Sequence, residues 1–521
     1  MTEILANLLP LLLHLLHFIL RPIYLLIHWR RPASIPSIKN PLLKLSAATL
    51  ARKIRIGELC SQTVVEAYIE RIKEVNPFIN AVAEDRFEAA VNDAKIYDAK
   101  LKAGDVTAST LEKEKPLYGV PVTIKESCSL KGLSYTIGTV PRRGMKASED
   151  GTAVESLKLA GAIPLCVTNV AEMCSSLHTM NPLYGSTKNP YDTRKTPGGS
   201  SGGEGAILGA GASIVGLGSD LTGSIRVPSL FNGIFGHKPT PGIVSIKGHF
   251  PMADDPLFQK CLVLGPMARY MEDIYLTMKV LSSKCERDLL LDEPVDVKKL
   301  NVYYLDNFGS FCGIRSTTSD IREKIREARQ HLAQNGASVE EFPKFWIQEI
   351  FNLEMAVIGE MDLPELLLDY EHPERRKKPM LEFIKSVFGL SKYTVPLTKL
   401  EIIRTHRGFV SANKAEYYRR LREDFCNRFN EALGDNGVLI CPTFSQPACI
   451  SKLQFYHLDG SVYCAVANML QLPATHVPMG LNKNGMPVGF QVIAAPYQDR
   501  LCLAVARELE QAFGGWIPPP S

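Results

Sequence analysis

A chain of 521 residues with 45% hydrophobic and 22% charged side chains has an ordinary globular composition, long enough for a large core and too apolar for extensive disorder. Its 59 basic residues stand against 55 acidic ones, a net charge of +4 with no basic stripe, which argues against nucleic acid as a partner. The twelve cysteines are scattered and no two form a C-x-x-C pair, which argues against zinc and thiol-redox chemistry and for free thiols in a reducing compartment.

In chain order, the segment from Ile4 to Leu20 is apolar apart from Asn7, His14 and His17, and a second apolar run, Pro22 to Ile27, follows Arg21. A spanning helix needs at least about 17 such residues. Glu3 before the run and Arg21, Arg30 and Arg31 after it fit an uncleaved single-pass anchor with the main domain in the cytosol, not a signal peptide. A monotopic helix lying on an intracellular membrane is the alternative. Residues 1–31 are therefore expected to be an anchor and its flank, and residues 32–45 a proline-marked linker.

The main domain is expected over residues 46–515, with 516–521 as a tail. Ser46 can cap a helix through Leu50 and Ile54, and Val64, Tyr68, Ile69 and Ile72 repeat at helical spacing until Asn76-Pro77. A third helical pattern runs from Ala89 to Leu101 and ends at Gly104. Val120 to Ile124 and Ile163 to Val167 then form short apolar runs with the helical stretch Ala153 to Leu159 between them, and residues 213–218 form another strand. This alternation predicts a single large α/β/α domain whose central sheet is mixed, largely parallel and covered by helices. Residues 292–433 are richer in charge and helix formers and form an elaboration of that core. Within them, Arg375 to Lys378 precede Leu381, Phe383, Ile384, Val387, Phe388 and Leu390, a pattern that suits a second membrane contact or an amphipathic helix packed on the core. Residues 441–443 and the stretch from 472 through 491 read as strands and turns that rejoin the main sheet.

The most informative stretch is Thr196-Pro-Gly-Gly-Ser200-Ser201-Gly-Gly-Glu204-Gly205, followed by Gly218-Ser219-Asp220-Leu221-Thr222-Gly223-Ser224-Ile225-Arg226. Glycines admit positive φ, let a substrate approach closely and leave N–H groups to face a developing oxyanion. Residues 198–202 formally fit the G-x-S-x-G elbow, but the charged, loop-like residues 188–195 stand where its buried strand belongs. Ser–His chemistry with His457 or His476 stays open, although His476 lies in an apolar stretch of strand character. The glycines match no phosphate-binding motif. A lysine is the other candidate base: Lys125 ends an apolar strand, where burial disfavours an ammonium, and its bland alternative is an ion pair with Glu126.

Residues 119–126 (Gly-Val-Pro-Val-Thr-Ile-Lys-Glu), the Gly-Gly-Ser-Ser-Gly-Gly run at 198–203 and Gly223-Ser224-Ile225-Arg226 together resemble the amidase-signature family. Residues 181–185, 235–239 and 485–491 extend the likeness from about residue 46 to Gly515. The resemblance implies a Ser-Ser-Lys triad: Ser224 as nucleophile, Ser200 as bridge after a cis peptide bond from Gly199, and Lys125 as base. It implies an oxyanion hole from the N–H groups of Leu221, Thr222, Gly223 and Ser224. It also implies an acyl pocket lined by residues 173–177 with Cys174 closest, and no cofactor or metal. Asp220 and Arg226 are expected to position the nucleophile's turn, and Ser201 to donate a supporting hydrogen bond. Thr222 departs from the glycine or alanine usual in the family, and a β-branched residue narrows the backbone's options there. With the apolar amino terminus, the resemblance implies a membrane-docked hydrolase of fatty-acid amides and leaves a homodimer open. An amidase of small polar amides, a transamidation glutaminase subunit, and a lipid-amide binding protein with weak turnover are the alternatives.

Overall fold

A computed structural model describes residues 32–309, 315–368, 372, 374–451 and 460–520, together with positions 15, 18, 19, 21–23 and 26. Its principal helices are α1 (Ala47–Arg55), α2 (Ser61–Ile79), α3 (Phe87–Ala103), α4 (Thr152–Leu159), α5 (Gly202–Gly209), α6 (Arg226–Asn232), α7 (Met271–Ser282), α8 (Ser319–Gln334), α9 (Ile350–Glu360), α10 (Pro379–Val387), α11 (Val395–Thr405), α12 (Ala415–Leu433), α13 (Gly460–Met469) and α14 (Asp499–Phe513). The main strands are β1 (Val82–Asp85), β2 (Pro121–Lys125), β3 (Ile163–Thr168), β4 (Val215–Asp220), β5 (Phe235–Lys238), β6 (Val263–Ala268), β7 (Asn301–Tyr304), β8 (Ser338–Glu341), β9 (Gly437–Cys441), β10 (Ala474–Leu481) and β11 (Pro487–Ala494).

These strands form one 11-stranded sheet in the order β1-β3-β2-β4-β6-β5-β10-β11-β9-β7-β8. The sheet is mixed. Its parallel pairings are confined to β3-β2-β4 and β9-β7-β8, and the middle is antiparallel. Every residue of β2, β3 and β4 is buried, which is why apolar and small residues dominate them instead of alternating with polar ones, the buried charges Lys125 and Asp220 standing at the carboxyl ends of β2 and β4. A register shift where Thr123 pairs with Cys166 absorbs the extra residue beside Pro164, which has no N–H to give to the ladder.

The helical starts and stops follow local chemistry. Ser46 accepts from the Thr49 N–H at the start of α1, and Gly104 ends α3 at a φ of 75°. Helix α2 passes through Pro77 to Ile79 instead of stopping before it. Pro77 falls in the last turn, Asn80 closes it in the left-handed conformation, and the Asn76 side chain accepts from the Ala81 and Val82 N–H groups.

Residues on both sides of the expected main domain pack against it. Residues 32–45 are packed in place: Ile35 and Leu43 are 2% and 3% exposed, because their apolar side chains have a core to join. Trp516 is similarly held, donating from Nε1 to the Gly209 carbonyl at 3.2 Å. The region after Asp292 contributes β7 and β8 to the sheet edge as well as helices.

The membrane assignment is corrected. The segment from residue 4 to 20 lies almost wholly outside the described residues, and among those described no helix is long and apolar enough to cross a membrane. Arg21 and Pro22 interrupt the apolar sequence near the minimum span, which is the physical weakness of that expectation. Helix α10 does expose Met380, Leu381, Ile384 and Val387, while it leans on α11 through Ser386 and Thr398, whose hydroxyls lie 3.1 Å apart.

Candidate active site

Strands β2 and β4 run parallel as neighbours, so their carboxyl ends open on one side and set Lys125 beside Ser219, with Nζ 2.8 Å from Oγ. The glycine-rich loop entering α5 brings Ser200 to the same amine, Nζ to Oγ 2.7 Å. The Gly199–Ser200 peptide is cis. Gly199 is required by close approach: a Cβ there would lie 2.6 Å from the Ser176 carbonyl oxygen and 2.8 Å from the His178 nitrogen, both backbone atoms. Lys125, Ser200 and Ser224 are 0%, 1% and 6% exposed, so Ser224 is the one nearest solvent. Ser201 N–H donates to the Ser224 carbonyl at 3.3 Å and ties the two loops. The Ser201 hydroxyl donates to the Ser219 carbonyl at 3.3 Å. The structure thus joins Lys125 to Ser200 directly, whereas the Ser224 hydroxyl makes no hydrogen bond among the described residues.

The turn after β4 is built on Asp220. Its carboxylate accepts from Gly223 N–H (2.7 Å), Ile225 N–H (3.1 Å), Asn468 Nδ2 (3.1 Å) and the Arg226 guanidinium at Nε (3.1 Å) and Nη2 (3.0 Å). Arg226 also donates to Gln491 and Asn468. Burial alone would raise the Asp220 carboxyl, but the neighbouring guanidinium and these donors hold it down at about 2. The Gly223 N–H, expected as an oxyanion donor, donates to Asp220, because a turn this tight presents it to the carboxylate. The N–H groups of Leu221, Thr222 and Ser224 donate to nothing among the described residues and remain available to an oxyanion.

Behind the amine, Glu126 does not pair with Lys125. It turns the other way to accept from Ser134 Oγ, the Thr136 N–H and Oγ1, and the Ile137 N–H, at 2.6 to 2.8 Å. Glu204 lies under β2 and β3, hydrogen-bonded to Thr123 Oγ1 (2.6 Å) and Thr168 Oγ1 (2.8 Å), and burial pushes its carboxyl up to about 8.

Met173 and Cys174 join an apolar cluster with Ile137, Val170, Leu366, Leu367, Tyr393 and Leu397, so the elaboration covers the expected acyl-pocket segment. Glu172 fastens the two: it accepts from Thr139 Oγ1 (3.0 Å) and from the Thr394 N–H (2.7 Å).

Sequence reasoning missed His249, whose Nε2 lies 3.0 Å from Ser219 Oγ. A lone histidine in Gly248-His249-Phe250-Pro251 carries no local signature. His476 is buried in β10 with Nδ1 on Thr443 Oγ1, and burial pushes its imidazole down to about 3, so it is poorly suited to act as a base. His457 lies outside the described residues.

Against this geometry, the Amidase family model matches residues 63–503. The chain belongs to the amidase-signature family. It is an amide-hydrolysing enzyme. This amidase is 39% identical over 500 residues to fatty-acid amide hydrolase 2-B of Danio rerio, covering 94% of this chain and 93% of the relative. It is 38% identical over 493 residues to fatty-acid amide hydrolase 2 of Homo sapiens, covering 92% and 91%. Its fold matches a solved fatty acid amide hydrolase with a TM-score of 0.74 at 22% identity, over 92% of this chain and 87% of that one.

Proposed function

We propose that this amidase cleaves fatty-acid amides to free fatty acid and amine through an acyl-enzyme on Ser224, with Ser200 as the proton bridge and Lys125 as the base. The observation that carries the proposal is the buried 2.7 Å contact between Lys125 Nζ and Ser200 Oγ beside the more open Ser224. With the amine neutral, Ser200 donates to Nζ and can accept the Ser224 proton as Ser224 Oγ bonds to the amide carbon. The oxyanion meets the N–H groups of Leu221, Thr222 and Ser224. Returning the proton through Ser200 to the leaving nitrogen lets the C–N bond break, and water then hydrolyses the ester to acid and free Ser224. The apolar cluster at Met173 and Cys174 supports an acyl substrate, as do the names of the relatives.

The test is hydrolysis of an oleoyl amide and a short-chain amide by wild type, Ser224→Ala and Lys125→Ala from neutral to alkaline pH. Long-chain turnover should exceed short-chain turnover and fall at least about a thousandfold in Ser224→Ala, with fluorophosphonate labelling abolished. Turnover confined to short amides removes the fatty-acid assignment. Folded wild type that binds the oleoyl amide without turnover points instead to a lipid-amide binding protein.

A further inference from the structure

The hydrogen bonds at Lys125 continue beyond the two serines. Its amine contacts Ser219 Oγ at 2.8 Å, Ser219 Oγ contacts His249 Nε2 at 3.0 Å, and His249 Nδ1 lies 3.1 Å from the Pro251 carbonyl oxygen. Ser219 and His249 are 2% and 3% exposed, and His249 is held in register by a bridge to Cys128 and by its N–H on the Ile246 carbonyl.

The direction of each bond follows from which groups have hydrogens. A carbonyl only accepts, so His249 Nδ1 carries its hydrogen and donates to Pro251. Burial, with Lys125 close by, pushes this imidazole down to about 3, so it is neutral and Nε2 presents a bare lone pair. Ser219 must then donate its single hydrogen to Nε2. Toward Lys125 it can only accept.

That constraint matters for a base. A neutral amine has two hydrogens and one lone pair, and an accept-only Ser219 draws one hydrogen to itself and leaves the lone pair for Ser200. Were the Ser219 hydrogen free, it could turn onto the lone pair and block the proton path. The same arrangement favours the ammonium after it has accepted a proton, since hydrogen bonding to a charged form stabilises it.

We propose that His249 is a positioning residue that fixes the Ser219 hydroxyl as an acceptor toward Lys125 and so keeps the lysine lone pair aimed at Ser200. The inference rests on the triad described under Proposed function. The titratable groups around the relay are Lys125, Cys128, Tyr135 and Glu204. The Cys128 thiol is pushed up to about 12 by burial, and Tyr135, which donates to the Gly248 carbonyl, is raised by burial as well. Burial pushes the Glu204 carboxyl up to about 8 and the nearby Lys125 draws it down, so profiles are compared among the variants that keep Lys125, with Lys125→Ala serving only as the inactive control.

The experiment compares pH profiles of kcat and KM for wild type, His249→Leu, His249→Gln and Ser219→Ala, with active fraction measured by fluorophosphonate titration and Lys125→Ala as control. Glutamine can donate from Nε2 to Pro251 and accept at Oε1 from Ser219. In His249→Leu and Ser219→Ala, kcat should fall about tenfold or more while KM stays within about twofold. The acid limb should move to lower pH by about one unit, and His249→Gln should return both toward wild type. A packing role alone would lower the melting temperature or active fraction and leave the acid limb in place. If His249→Leu does not fold, Ser219→Ala and His249→Gln carry the test. An unmoved acid limb in folded Ser219→Ala, with Lys125→Ala inactive, overturns this inference alone. Full turnover in Lys125→Ala overturns the triad and the inference together.

Discussion

Replacing Asp220 by Asn tests how the turn that carries Ser224 is held. The two carboxylate oxygens divide their donors: Oδ1 accepts from Gly223 N, Arg226 Nη2 and Asn468 Nδ2, and Oδ2 from Ile225 N and Arg226 Nε. Whichever way an amide is turned, its NH2 faces one of these sets, and Arg226 is left as a buried cation without its partner. Asp220 and Arg226 are both 0% exposed, so solvent does not screen the loss, which should be about 3 to 5 kcal/mol. Acid titration supplies an independent check. The Asp220 carboxyl moves from its ordinary 3.8 down to about 2 on folding, so its contribution is present above pH 3.8 and lost as pH falls through 2. That shift corresponds to about 2 kcal/mol, smaller than the cost of substitution because protonation leaves the surrounding groups in place. Urea unfolding of wild type and Asp220→Asn at pH 7 and at pH 4 measures the first difference, and acid unfolding measures the second. With Gly223 N–H released and the turn displaced, amide turnover should fall as well. A stability difference below about 1 kcal/mol with unchanged kcat would refute this account of the turn.

Gly199→Ala should lower kcat on the order of a hundredfold, because its Cβ can be accommodated only by moving backbone at Ser176 or His178 and with it Ser200. Steady-state kinetics with kcat within threefold of wild type would show that the loop adapts without cost. Glu172→Gln should stabilise the chain at alkaline pH. Burial raises the Glu172 carboxyl from 4.5 to about 7, so the folded state binds its proton more tightly and wild-type stability falls as pH rises through that window. The amide can still accept from Thr394 N–H and donate to Thr139 Oγ1. The variant's advantage should therefore approach about 3 kcal/mol by pH 8 and vanish near pH 4, as read by denaturant midpoints. Equal pH slopes for the two proteins would contradict it.

The parts of the fold and site legible in the sequence are those whose causes are local. A serine before α1, a glycine after α3 and the largely apolar runs Val120 to Ile124 and Ile163 to Val167 act through their own neighbours in the chain. Gly199 is different: what excludes a side chain there is the backbone of Ser176 to His178, distant in the chain, so the glycine is legible only through the motif it belongs to. Pro77 misled because its local tendency to end a helix is met by partners beyond the helix, the Asn76 side chain on Ala81 and Val82. The antiparallel middle of the sheet was illegible for a related reason: buried strands are apolar on both faces whichever way their neighbours run.

The site shows the same division at the scale of single hydrogens. Gly223 looks like a free oxyanion donor when only the glycine-rich turn is considered, yet Asp220, three positions earlier, takes its N–H. Residue type marks where an oxyanion can approach, but the partners of each N–H decide which donors are left for it, here Leu221, Thr222 and Ser224. A hydrogen already bound to a carboxylate would have to exchange one anion for another during the reaction, whereas a free donor faces the developing charge without that loss. Thr222 is thus tolerable on structural grounds despite its β-branch: its proposed contribution is a main-chain N–H, and nothing in the turn requires positive φ at that position, as it does at Gly223 with a φ of 122°.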